Sequence, residues 1–177
     1  MTKILGVVLA GGLSTRFGSD KAQALWRGRS LLDHALDALA PHCASLAVCG
    51  RDYPGVTVLA DRPEPGQGPL GGLNAALHHA QAHGFDGVLV TGCDMPVFPA
   101  ALAAALVGDG PAVLEGSHLA GWWPASLAPL LDAHLATETN RSLRCWFDKT
   151  APRHVRVPDF AMPNINRPED LDGMEKG

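Results

Sequence analysis

The sequence predicts an α/β fold: a three-layer sandwich in which a mostly parallel sheet carries helices on both faces. Three observations carry this prediction. Short continuous apolar runs rich in β-branched residues recur along the chain, as expected of strands covered on both sides. Stretches with helical apolar spacing separate them, and that alternation implies parallel strands joined by crossovers. Glycine-dense polar loops follow the apolar runs, at the strand ends where open α/β sheets take ligands.

The first strand is Ile4 to Ala10, and the loop "GGLSTRFGSDK" follows it. Ser30 is placed to cap a helix in which Leu32, Ala35, Leu36 and Leu39 recur at helical spacing, and Pro41 stops its continuation. Further strands are predicted at Leu46 to Cys49, Val56 to Leu59, Val88 to Thr91 and Ala112 to Leu114, with helical stretches between them. The clearest helix runs from Pro69 to His83, with Leu70, Leu73, Ala76, Leu77 and Ala80 on one face and Gly84 as C-terminal cap. The loops at 11 to 20, 60 to 68 and 92 to 96 then share one edge of the sheet. The chain has no internal repeat, low-complexity tract or linker, so residues 1 to 177 read as one domain.

At 177 residues and 46% hydrophobic, the chain is long enough for a substantial core. Fourteen basic against 18 acidic residues, net −4, exclude the general basic field that holds nucleic acid. Any anion site is therefore local. Cys43, Cys49, Cys93 and Cys145 form no C-x-x-C pair, which argues against a zinc cluster and a disulfide framework and for reduced thiols. The N-terminal apolar stretch is too short to span a membrane and lacks a signal pattern, so it reads as the first strand of a cytoplasmic protein with no membrane association.

Four stretches carry chemistry. In "LAGGLSTRFGSDKA" (9 to 22), Gly11 and Gly12 let the backbone turn and approach a ligand without a Cβ in the way, so that N–H groups face phosphate oxygens; Arg16 and Lys21 add charge. Within this stretch neither a Walker loop nor the G-x-G-x-x-G pattern is present. In "VLVTGCDMP" (88 to 96), Asp94 ends a buried strand where a carboxylate suits Mg²⁺, which takes one or two carboxylates plus substrate phosphates, or else caps a turn. In "ADRPEPGQGPLGGLNAAL" (60 to 77), Asp61 suits a ribose hydroxyl, the N–H edge of a base, or an ordinary turn, and Gly68-Pro69 opens a helix whose N-terminus is partially positive. In "NINRPEDL" (164 to 171), Asn164 and Asn166 suit orientation of a ligand or a metal-bound water, and equally suit turns.

In that order along nearly the whole chain, "LAGG…S…R.G.DK", "GPL.G", "CDMP" and "N.N.PEDL" resemble the molybdenum cofactor guanylyltransferases, members of the nucleotidyltransferase group with a Rossmann-like fold. The resemblance implies transfer of GMP from GTP to the terminal phosphate of molybdopterin, release of pyrophosphate and dependence on Mg²⁺. By position it implies nucleotide contacts from Leu9, Ala10, Gly11, Gly12, Lys21, Asp61 and Asp94, with Lys21 on the phosphates and Asp94 also on the metal. Lys21, Arg16 and Asp94 are the expected catalytic set, acting by positioning and charge neutralisation. Asn164 and Asn166 match further motif positions. The sequence departs from the family where an asparagine usually follows the second strand: "AVCGRD" places Cys49 or Gly50 there.

The resemblance extends to cytidylyl relatives, which usually read Leu-Ala-Ala-Gly at the first motif; the missing Cβ at Gly11 is therefore expected to make room for a two-ring base. Trp122, Trp123, Arg141 and Arg144 are candidates to embrace a pterin and its phosphate. The competing and favoured expectation packs the tryptophans on the sheet and leaves both arginines on a solvated helix face. His78, His79 and His83 invite a metal reading, but imidazoles near a helix C-terminus are accounted for by its dipole. Expected partners are GTP, molybdopterin and, transiently, cofactor-biosynthesis or acceptor proteins. The rival readings are a CTP-dependent or sugar-phosphate nucleotidyltransferase and a noncatalytic nucleotide-binding regulator.

Overall fold

The first apolar run forms β1 (Ile4–Leu9), buried through its middle four residues. In the computed structural model, which describes residues 1–11, 20–117, 120–160, 165 and 170, a single 3₁₀ turn (Lys21–Gln23) and a two-stranded ribbon, β2 (Leu25–Trp26) and β3 (Arg29–Ser30), lead into α1 (Leu31–Leu39). Ser30 caps α1 as predicted: its hydroxyl accepts from the Asp33 N–H while the Asp33 carboxylate accepts from the Ser30 N–H, a reciprocal capping box. The chain continues through β4 (Ser45–Cys49), β5 (Thr57–Leu59), α2 (Pro69–Ala82), β6 (Gly87–Gly92), α3 (Ala100–Leu106) and β7 (Ala112–Leu114). It ends its described part with β8 (Gly121–Pro124), α4 (Ala128–Thr137), α5 (Leu143–Thr150) and β9 (Arg153–Val155).

Seven strands make the main sheet in the order β5-β4-β1-β6-β8-β7-β9. β1 pairs parallel with β4 on one side and with β6 on the other, so that Leu9 stands opposite both Cys49 and Gly92. β5 extends the parallel set, with Leu59 opposite Cys49. The chain leaves β1 toward β4 and β5, then returns to build β6 on the opposite side. The strand ends at this reversal leave the crevice in which doubly wound sheets hold ligands.

Helices cover both faces. Leu32, Ala35, Leu36 and Leu39 of α1 join Leu102 and Leu106 of α3 in one core. On the other face Leu70, Leu73, Ala76, Leu77 and Ala80 of α2 pack with Leu131 and Leu135 of α4 and Trp146 of α5.

Besides the β2–β3 ribbon, two strands of the main sheet lie beyond the sequence prediction. β8 runs antiparallel between β6 and β7, and its Trp122 and Trp123 alternate into the two opposite cores, each 2% exposed. β9, with two of its three residues exposed, adds to the edge beside β7. The tryptophans are therefore sheet residues, as the packing alternative held, and are unavailable for a pterin. Arg141 departs from the expectation for it: Ser142 caps α5, so Arg141 precedes the helix, and its guanidinium donates to the side-chain oxygen of Gln67. Arg144 is exposed in the first turn of α5.

Candidate functional site

An open pocket of about 850 Å³ lies beyond the carboxyl ends of β1, β4 and β5. Its wall runs from Leu9 and Gly11 across Cys49 and Gly50 to Asp61, and is closed by Gly68, Pro69 and Gly72 at the start of α2. The first turn of α2 approaches this wall because its glycines have no side chains. A Cβ on Gly71 would meet the Gln67 Cβ at 2.6 Å and the Asp61 side chain at 3.1 Å; one on Gly72 would meet Leu9 at 2.9 Å and the Cys49 Cβ at 3.1 Å. Gly68, the N-cap, has φ +65° and offers no side-chain cap, so the partially positive helix end is left for a ligand. The Pro-Leu-Gly stretch thus acts by bringing a helix end against two strand tips and Asp61.

Gly11 has a different neighbour from the one expected. A Cβ there would point at the Gly50 Cα, 3.0 Å away, and a Cβ on Gly50 would lie 2.3 Å from the Gly11 Cα. Gly50 also has φ +90°, where L side chains are strained. The bare backbone at Gly11 is required by the crossing of two strand tips, which accounts for its glycine without reference to a base. Cys49, the other candidate for the family's asparagine position, is 2% exposed and its thiol donates to the Gly72 carbonyl at 3.5 Å. Burial, reinforced by the Asp61 carboxylate, pushes that thiol up to about 12, so it stays neutral.

At the β1–β6 junction Lys21 and Asp94 meet. The Lys21 ammonium lies 3.5 Å from Asp94 Oδ2, with the lysine side chain 13% exposed and the aspartate 44%. Asp94 sits in a turn closed by the Met95 N–H on the Gly92 carbonyl and anchored by the buried Met95. The neighbouring Cys93 is pushed up to about 11, by burial first and by Asp94 second, which removes it as a thiolate nucleophile or ligand. Among the described residues no group of three or more His, Cys, Asp or Glu side chains is placed to hold a metal ion. His83 contacts the His79 carbonyl through Nδ1 at 2.9 Å and stacks on its ring, in keeping with helix-end histidines.

Of the predicted site residues, Leu9, Gly11 and Asp61 line the pocket, and Lys21 and Asp94 pair beside it. Ala10 is buried; its N–H donates to the Cys49 carbonyl at 2.9 Å. Gly12, Arg16, Asn164 and Asn166 lie outside the described residues. Ile165 is 1% exposed and packs with Trp26 and Leu31, beside the ribbon following Lys21.

Sequence reasoning missed Arg51. It lines the pocket and forks onto Asp20, with both guanidinium nitrogens 2.8 Å from the carboxylate oxygens, while its Nε donates to the Ala10 carbonyl at 3.3 Å. The available signal was an arginine one residue past a glycine at a strand end.

A parallel sheet that gathers bare backbone, a lysine and an aspartate at its topological switch has the architecture of a nucleotidyltransferase. The comparisons agree. A family profile described as the MobA-like NTP transferase domain matches residues 6–155. A molybdenum cofactor guanylyltransferase of Sinorhizobium fredii is 36% identical over an alignment of 195 positions, covering 96% of this chain and 89% of the relative. The chain belongs to the MobA-like NTP transferase family. Its fold is shared with molybdopterin-guanine dinucleotide biosynthesis protein A of Archaeoglobus fulgidus, at TM-score 0.76 and 20% identity over 98% of this chain and 97% of that one. It is shared too with 2-C-methyl-D-erythritol 4-phosphate cytidylyltransferase of Thermus thermophilus, at TM-score 0.68 and 18% identity over 99% and 98%.

Proposed function

We propose that this protein transfers GMP from GTP to the terminal phosphate of molybdopterin and releases pyrophosphate. The observation that carries the reading is the pairing of Lys21 with Asp94 beside a glycine-walled pocket, in a chain 36% identical over almost its whole length to a named guanylyltransferase. The pocket takes the nucleoside, with Asp61 at its wall for a ribose hydroxyl or base N–H. Lys21 faces the phosphates at the junction of β1 and β6.

The obstacle to the reaction is the approach of an anionic acceptor to the α-phosphate, so positioning and charge neutralisation carry the catalysis. The Lys21 ammonium, already held in place, meets charge growing on the phosphoryl oxygens without reorganising. The open helix end at Gly68 adds partial positive charge from the opposite wall. Arg16 belongs to the same set by its place in the loop after β1. No covalent enzyme intermediate is required.

Asp94 fits Mg²⁺: it is a half-exposed carboxylate just past the end of β6, as suits an ion that takes one or two carboxylates and the substrate phosphates. When bound there, the ion would supply further neutralisation of the triphosphate.

The test is pyrophosphate release with GTP or CTP, each offered molybdopterin or a sugar phosphate. Turnover with GTP and molybdopterin is expected. Equal or faster turnover with CTP would make the protein a cytidylyltransferase, and binding of GTP without turnover on any acceptor would make it a regulator.

A further inference from the structure

Arg51 touches the chain on both sides of the loop that follows β1. Its Nε donates to the carbonyl of Ala10, before the loop, and its two terminal nitrogens clasp the carboxylate of Asp20, after it. Asp20 in turn sets the turn that carries Lys21: its Oδ1 accepts from the Ala22 N–H at 3.2 Å and its carbonyl from the Gln23 N–H at 3.0 Å. Gly50, at φ +90° and pressed on Gly11, folds the chain back immediately after β4 and so delivers Arg51 over Ala10. The Arg51 side chain is only 19% exposed despite its charge.

We propose that Arg51 is a positioning residue that staples the two ends of this loop and thereby holds Lys21 over Asp94. A planar guanidinium suits the task because its fork fixes a carboxylate in distance and in orientation, whereas an ammonium fixes only distance. The guanidinium also keeps the Asp20 carboxyl below its ordinary range, so the clasp resists protonation in mild acid. The inference rests on the reading of Lys21 as a phosphate-binding cation. It differs from a direct role for Arg51 on the substrate, which its place in the pocket wall also suggests.

The experiment compares Arg51→Met, Arg51→Lys, Asp20→Asn and the Arg51→Met/Asp20→Asn pair, each also in a Lys21→Ala background. Hydrogen exchange of the Ala22 and Gln23 amides is followed in the free protein and kcat and KM in the GTP reaction. The staple requires faster exchange at both amides in Arg51→Met and Asp20→Asn. It requires kcat to fall about 10- to 100-fold, the scale of a misplaced catalytic group, with little change in KM. The pair should be no worse than the poorer single variant, Arg51→Lys should fail to restore kcat, and none should lose more in the Lys21→Ala background. Unchanged exchange in both Arg51→Met and Asp20→Asn, full rescue by lysine, or a further loss without Lys21 would each overturn it. Should the unaltered protein release no pyrophosphate from GTP, the functional reading fails, while the exchange comparison still decides the staple.

Discussion

Lys21 and Asp94 carry the strongest expectation at the scale of single residues. Removing one preorganised charge typically costs about 10²–10³ in kcat, so Lys21→Ala and Asp94→Ala should each fall by that order while unfolding cooperatively like the parent. The check is steady-state pyrophosphate release beside a urea melt, and wild-type turnover in either variant would remove that residue from the mechanism. Gly50 carries a structural expectation. An asparagine at Gly50, one of the two positions after β4 where the family resemblance leads one to expect it, puts a Cβ 2.3 Å from the Gly11 backbone at φ +90°. Gly50→Asn should therefore destabilise the fold by roughly 2 to 4 kcal/mol in denaturant titration, as strained and overpacked backbone sites do. Gly11 and the two acidic positions were visible in the sequence because each follows an apolar run. The Arg51–Asp20 clasp was not, since its partners are 31 residues apart and meet only when β1 and β4 pair.

Elements divide into those that stabilise and those that shape the site. The capping box on α1 is of the first kind: Ser30→Ala should cost about 1 kcal/mol of stability and leave kcat and KM unaltered. The start of α2 is of the second kind. Gly71→Ala adds a Cβ against Gln67 and Asp61, so it should raise KM for GTP, measured by titration of the nucleotide, and also lower the unfolding midpoint as overpacking does. Opposite results for the two substitutions would exchange the roles assigned to these helices. The strands that position the site were legible because burial on both faces leaves continuous apolar runs in β1, β4 and β6. β8 was not legible as a strand, because two adjacent tryptophans, one for each core, read as aromatics packed on the sheet rather than as part of it. β9 was missed for the reverse reason, being a short edge strand with little apolar signal.

The molecule as a whole joins two cores across one sheet, and its pH dependence should report the core on the α2 side. His134 there is 1% exposed, finds no hydrogen-bond partner among the described residues for either ring nitrogen, and lies against Trp146. Burial, with Lys149 nearby, lowers its pKa below the ordinary 6.5. Below that value the unfolded chain takes up the proton more readily than the folded one. Stability is therefore complete above pH 6.5 and declines as the pH falls from there; His79, lowered by burial and by His83, acts in the same direction. His134→Phe should flatten the decline between about pH 6.5 and 5.5, a range above the carboxylate transitions, and an unchanged slope in urea titrations would assign the decline to other groups. The central claim is that β1 and β6 end side by side so that one triphosphate meets the glycine-walled pocket and the Lys21–Asp94 pair together. The most direct measurement is a crystal structure with a nonhydrolysable GTP analogue. The nucleoside should lie between Gly11, Gly50 and Asp61 with its phosphates on Lys21; phosphates bound away from Lys21 and Asp94 would contradict this arrangement.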